Sequence, residues 1–192
     1  MLCDVFGFQH DGRPNAQGAR LSLGDQSLWV VKSRSVAGAI GLHHLALSVP
    51  DTDMAMQECL NRGGRLAASM TPDGPLEIAA FWDTGVRYVF FEGPEGVLIE
   101  LCMRIGQPAA VGWGHDHLGV RCADIAATAE LFQSMGCRTV AQHSLDRPGG
   151  PTLVTFLRYS RSTIELFCEP GDATRIPASP HLGWVGCALQ QG

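Results

Sequence analysis

The chain has 192 residues, is 45% hydrophobic and 17% charged, and carries a net charge of about -5. That length allows one domain with a full core or two small modules that share one, and the acidic balance, with no basic cluster, weighs against nucleic acid or an anionic membrane as partner. No apolar stretch reaches membrane-spanning length, the opening "MLCDVFGFQHDG" lacks the basic and apolar regions of a signal peptide, and seven cysteines without a C-x-x-C pair read as reduced thiols of a cytoplasmic protein.

In chain order, residues 1–40 form an N-terminal arm. Its "DVFGFQHDGRPNAQGARLSLGDQSLWVVKS" is similar to the last three strands of a unit that recurs later, with Trp29 where that unit has a glutamate. Two readings stand: a partial, degenerate third module, or terminal strands that lengthen a sheet edge.

From residue 41 an internal repeat dominates. "HHLALSVPDTDMAMQECLNRGGRLAAS" starts at His43, and "HDHLGVRCADIAATAELFQSMGCRTVAQ" starts at His115. Each opens with an alternating strand and meets a helix N-cap, at Asp51 or Asp53 in the first and Asp124 in the second. Helical spacing follows: Met54, Met56 and Leu60, then Ile125, Ala129, Leu131 and Phe132. Each helix stops at glycine, Gly63-Gly64 and Gly136. A strand and a Pro/Gly-rich loop come next. Two closing strands finish each unit, with turns at Gly93–Gly96 and near Ser160–Arg161. Both units read β-α-β-β-β. They span residues 41–104 and 115–169, joined by a linker at 105–114, and the first carries a longer insertion at 71–84. A C-terminal arm, 170–192, begins an echo of the second unit at His181.

Strand alternation predicts the chemistry. Leu45, Leu47 and Val49 share the helix-facing side of their strand, so His44 points to the other. By the same count Leu118 and Val120 face a helix while His117 and Arg121 face away. Glu100 in "GVLIEL" and Glu165 in "STIEL" are lone carboxylates in apolar strands, and each falls on the helix-free face. A buried, unpartnered carboxylate costs several kcal/mol. If the two faces curve round one cleft, two imidazoles and two carboxylates converge. That set suits a divalent metal: zinc, nickel, iron, cobalt or manganese. Taken one at a time, each His reads as structural or solvated and each Glu as an edge-strand charge. Their repetition at matching places in both units favours the metal site. Cys102 shares the Glu100 face, where it can line the cleft or simply fill space. His10, His143 and His181 are loop histidines, and Tyr88 and Tyr159 read as packing residues.

With "HHLALSV", "DHLGVRCAD" and "FFEGPEGVLIEL" in place, residues 41–169 resemble the vicinal oxygen chelate superfamily, which includes glyoxalase I, methylmalonyl-CoA epimerase, extradiol dioxygenases and bleomycin resistance proteins. The resemblance implies an α+β fold in which two βαβββ modules form a cupped mixed sheet around a metal cleft. It also implies His44, Glu100, His117 and Glu165 as the metal ligands. The full set of four is similar to bacterial glyoxalase I, and Arg121 resembles a substrate-anion contact of that group. The order of the units, the 71–84 insertion and both arms depart from that enzyme.

Three functional readings follow. The first is a metal-dependent lyase or isomerase of glyoxalase type, acting on a small substrate with adjacent oxygens through an enediolate-like intermediate. In it Glu165 or Glu100 shuttles the proton, with Glu165 favoured because it follows a serine-rich turn. The second is an iron(II) extradiol dioxygenase, which typically uses only one carboxylate ligand. The third is a non-enzymatic binding protein, a group that generally lacks the metal set. Spare strand material at the termini predicts a homodimer.

Overall fold

The computed structural model describes residues 1–31, 41–174 and 187. The first βαβββ unit consists of β4 (Gly41–Ser48), α1 (Thr52–Asn61), β5 (Leu76–Ile78), β6 (Val86–Glu92) and β7 (Leu98–Arg104). The second consists of β8 (Gly114–Arg121), α2 (Ile125–Ser134), β9 (Arg138–Leu145), β10 (Thr152–Tyr159) and β11 (Ser162–Cys168). All eight strands join one curled mixed sheet in the order β5-β6-β7-β4-β8-β11-β10-β9. Within each unit the first and last strands pair in parallel, β4 with β7 and β8 with β11. Parallel neighbours need a crossover, and the helix supplies it. The units meet where β4 and β8 pair antiparallel.

The helices are built alike. Asp51 caps α1 by accepting from the Met54 N–H at 2.9 Å, and Asp124 caps α2 by accepting from Ala127 at 2.9 Å. Asp53, the other capping candidate, lies in the first turn and pairs with Arg87 of β6 at 2.6 Å. Both helices close with left-handed glycines, Gly63 at φ 85° and Gly136 at φ 96°. Behind them Gly64 donates to the Cys59 carbonyl and Cys137 to that of Phe132, which is the Schellman arrangement.

The core face of α1 differs from expectation. Thr52, Ala55 and Cys59 are its buried residues, whereas Met54 is 73% exposed. Met56 and Leu60 flank the core. In α2, Ala129 is buried, Ile125 and Phe132 pack beside it, and Leu131 points outward. Large apolar side chains near a helical stripe looked like the stripe itself, yet one step along a helix turns a residue about 100° away.

The strand expected after Gly64 shrinks to one bridge, Leu66 with Phe91. The sheet edge is instead taken up by β5, inside the 71–84 insertion. The N-terminal arm forms β1 (Gln9–His10), β2 (Gly18–Leu23) and β3 (Gln26–Val31), a separate 3-stranded sheet that does not extend the large one. Trp29 in β3 is exposed. The arm holds on through Val5, Phe6, Phe8 and Leu21, which join the core under α1. The Phe6 ring meets Phe91 edge-on at 5.7 Å. His181 and most of the C-terminal arm lie outside the described residues.

Two apolar clusters fill the helix-covered side of the sheet. A third, with Phe81, Val154, Phe156 and Phe167 among its members, lies on the concave side.

Candidate metal centre

The four strands at the middle of the sheet each deliver one ligand candidate: His44 from β4, Glu100 from β7, His117 from β8 and Glu165 from β11. Small residues in the register make this possible. Ala46 pairs with both Glu100 and His117, and Gly119 pairs with both His44 and Glu165. A Cβ at Gly119 would lie 1.9 Å from the His44 ring. Gly119 therefore makes room for the His44 ring itself, not for a substrate.

The donor atoms converge. The two Nε2 atoms are 3.1 Å apart. The imidazole-to-carboxylate distances are 3.2 and 3.4 Å for His44 and 3.5 and 3.4 Å for His117. Ligand–metal bonds of about 2.0–2.2 Å place neighbouring donors about 3.0 Å apart at right angles and about 3.4 Å apart at tetrahedral angles. The observed separations span that range, so these residues fit one divalent ion. Imidazole nitrogen with carboxylate oxygen suits zinc, nickel, iron, cobalt or manganese.

Without an ion, charge balance falls to protons. Burial opposes charge on His44, yet hydrogen bonds with Glu100 and Glu165 hold its pKa above the usual value. Burial likewise opposes charge on His117, but the Glu100 carboxylate and the bond to Asp116 hold it well above. Burial pushes both glutamates up, and the two imidazoles more than offset it, leaving Glu100 and Glu165 below the carboxylate range. Protons would thus compete with a metal ion for the same donors.

Two further residues approach the two histidines. The β4–β8 register slips once at His43 and once at Asp116, so each is the extra residue of a β-bulge. Asp116 Oδ1 lies 2.8 Å from His117 Nδ1, and His43 Nδ1 lies 2.9 Å from His44 Nδ1. Both side chains line the cleft. Burial pushes the His43 pKa down to about 3, so it is neutral. Strict alternation hides both residues, because it assigns them to the helix side. A bulge re-aims one side chain, and nothing in "HHL" or "HDHL" announces it.

The cleft is open to solvent, and Phe81, Trp82, Tyr88, Phe90, Phe156 and Phe167 form the aromatic part of its wall. Trp82 packs on Phe156 at 4.6 Å and lies under the Arg104 guanidinium at 4.3 Å. Trp82 and Asp83 both hold positive φ, 55° and 63°, a costly conformation for non-glycine residues that clusters at functional sites. Tyr88, expected only to pack, lines the cleft, as do Arg104, Arg147 and Glu169. Cys102 lines it too, and burial keeps its thiol well above its ordinary pKa and uncharged.

Arg121 is placed differently from expectation. It does not line this cleft. Its guanidinium pairs with the fully buried Asp172 at 3.0 Å and with Glu169. Two carboxylates already occupy its charge, and a substrate anion would have to displace them. His10 is exposed on β1. His143 sits beside Phe81, with ring centroids 5.0 Å apart. Tyr159 packs on the α2 core.

No protein-family model matches the chain, and no curated protein sequence matches it. Solved structures do. Glyoxalase I from Zea mays aligns with a TM-score of 0.64 at 17% identity, over 88% of this chain and 62% of that one. The chain therefore spans less than two thirds of the maize enzyme's length. Methylmalonyl-CoA epimerase from Mycobacterium tuberculosis aligns with a TM-score of 0.50 at 21% identity, over 76% of this chain and 97% of that one. The chain therefore shares its fold with these two enzymes, a curled mixed sheet with few helices.

Proposed function

We propose that this protein is a metal-dependent lyase or isomerase of glyoxalase type. It acts on a small substrate that carries two adjacent oxygens. The observation that carries the reading is the convergence of His44, Glu100, His117 and Glu165 at single-ion spacing. A divalent ion held there supplies Lewis-acid polarisation of the two substrate oxygens.

The chain's own groups do the rest. Glu165 takes the proton beside the carbonyl and returns it to the neighbouring carbon. Its side chain is 13% exposed against 8% for Glu100, so it has more room to turn toward a substrate. Glu100 stays as ligand. The rings of Phe81, Trp82 and Phe156 favour a substrate whose remaining body is apolar or aromatic. Arg104 and Arg147 take over the anion contact that Arg121 is too well paired to make, and the Cys102 thiol faces the bound molecule. An iron(II) dioxygenase would use three protein ligands and leave more positions open; the fourth donor weighs against it. Non-enzymatic binders of this fold generally lack such a set, and its presence weighs against the third reading.

The test uses chain purified without tag or chelator. Elemental analysis is expected to find about one divalent ion per chain, and a panel of aryl and alkyl hemithioacetals, catechols and acyl-CoA epimers to find turnover among the proton-transfer substrates. Glu165→Gln is expected to lower kcat by about 10²–10⁴-fold with metal still bound, and Glu100→Gln mainly to weaken metal binding. A chain that takes up no zinc, nickel, cobalt, iron or manganese refutes the reading.

A further inference from the structure

We propose that His43 is the positioning residue for the ligand His44: it accepts the His44 Nδ1–H and fixes that ring with Nε2 aimed at the ligand set. The proposal rests on the metal-site reading above and extends it to a residue outside the four ligands.

The first observation is geometric. His43 is the extra residue where β4 slips against β8. A regular strand would turn its ring away from His44. The bulge brings it to the same side, 2.9 Å from His44 Nδ1. The His43 ring meets two other rings edge-on, His44 at 5.2 Å and Phe167 at 5.0 Å between centroids. A ring gripped in this way offers one nitrogen in one place.

The second observation is proton bookkeeping. A hydrogen bond between two ring nitrogens needs a single proton. His44 presents Nε2 to the ligand set. A nitrogen that binds a metal ion has no proton, so the proton of neutral His44 must sit on Nδ1. His43 Nδ1 is then bare and accepts, and the proton of His43 itself sits on Nε2. No other arrangement satisfies the pair with His44 as a ligand.

The third observation is internal symmetry. In the second unit the extra residue is Asp116, also one position before its ligand, and its carboxylate lies 2.8 Å from His117 Nδ1. Each unit thus uses a bulge to supply an outer partner to its ligand histidine, but the partners differ. A carboxylate acceptor makes its imidazole a stronger donor than a neutral acceptor does. The two ligand histidines are therefore unequal, with His117 the firmer and His44 dependent on His43 for orientation more than for basicity.

The test compares wild type with His43→Asn and His43→Phe. Asparagine offers an oxygen close to where Nδ1 stands; phenylalanine keeps the ring and its edge contacts but accepts nothing. Zinc affinity is read by competition with a chelator. His43→Phe is expected to bind zinc about 10–100-fold more weakly, and His43→Asn within about threefold of wild type. In the zinc-loaded wild type, nitrogen-15 NMR is expected to show His44 protonated at Nδ1 and His43 protonated at Nε2, a reading that stands even if His43→Phe does not fold. Unchanged zinc affinity in His43→Phe, a His43→Asn variant as weak as His43→Phe, or a proton on His43 Nδ1 would each overturn the proposal while the metal site stood. A wild type that takes up no zinc or other divalent ion would overturn the metal reading, and this proposal with it.

Discussion

At the scale of single residues, Gly119 is the sharpest case. Its backbone is not in the left-handed region, so conformational freedom does not require glycine there. Replacing such a glycine by alanine ordinarily stabilises a protein by about 0.4–1 kcal/mol through the unfolded chain. Here the new Cβ would lie 1.9 Å from the His44 ring, and overpacking costs about 1–3 kcal/mol. The clash wins. Gly119→Ala is expected to melt lower than wild type in metal-free buffer and to bind zinc more weakly, because His44 must move. Thermal denaturation and a zinc titration check this; an alanine variant that melts higher and binds zinc equally well would show that the glycine serves no such purpose. The shared face of His44, Glu100, His117 and Glu165 was legible in sequence, since period-two alternation and repetition across two units sufficed. Arg121 was not, because the carboxylates of Glu169 and Asp172 that pair with it lie beyond the strand, where no local pattern reports them.

At the scale of elements, both helices were readable from their ends. Asp51, Asp124, Gly63 and Gly136 act through bonds within a few residues, and such bonds leave a local signature. Asp51→Ala is expected to cost about 0.5–2 kcal/mol, the usual loss for an acidic or hydroxyl N-cap. Urea denaturation should record a lower midpoint with an unchanged slope. Because α1 covers the opposite side of the sheet from the ligands, zinc affinity should not change; a parallel loss of affinity would mean that the helix cap reaches the site. The β4–β8 bulges show the opposite situation. They arise from the fit of two strands against each other, and neither strand encodes that fit alone.

At the scale of the whole molecule, one chain brings all four candidate ligands together through the β4–β8 seam. The site therefore does not depend on a second copy. A homodimer is still expected on other grounds. Among the described residues, β5 and β9 are the open edges of the large sheet, β3 is an edge of the small one, and Trp29, Val30 and Val31 on β3 are exposed. Apolar edges of this kind invite pairing. Light scattering at micromolar concentration is expected to give twice the chain mass, and a single-chain mass would argue that the edges stay free. A dimer should bind two ions, one in each chain.

By itself the sequence determined the repeat, the helix caps, the side of the sheet on which His44, Glu100, His117 and Glu165 lie, and so the class of ion they suit. Those properties follow from periodicity and short-range bonding, which a linear pattern carries. Only the tertiary structure decided that His43 and Asp116 stand against His44 and His117, that Gly119 yields its space to His44, that the insertion brings Trp82 over the cleft, and that Arg121 is already paired. Each of these depends on strand register or on contacts between distant segments. Packing settles them collectively, after the local rules have been spent.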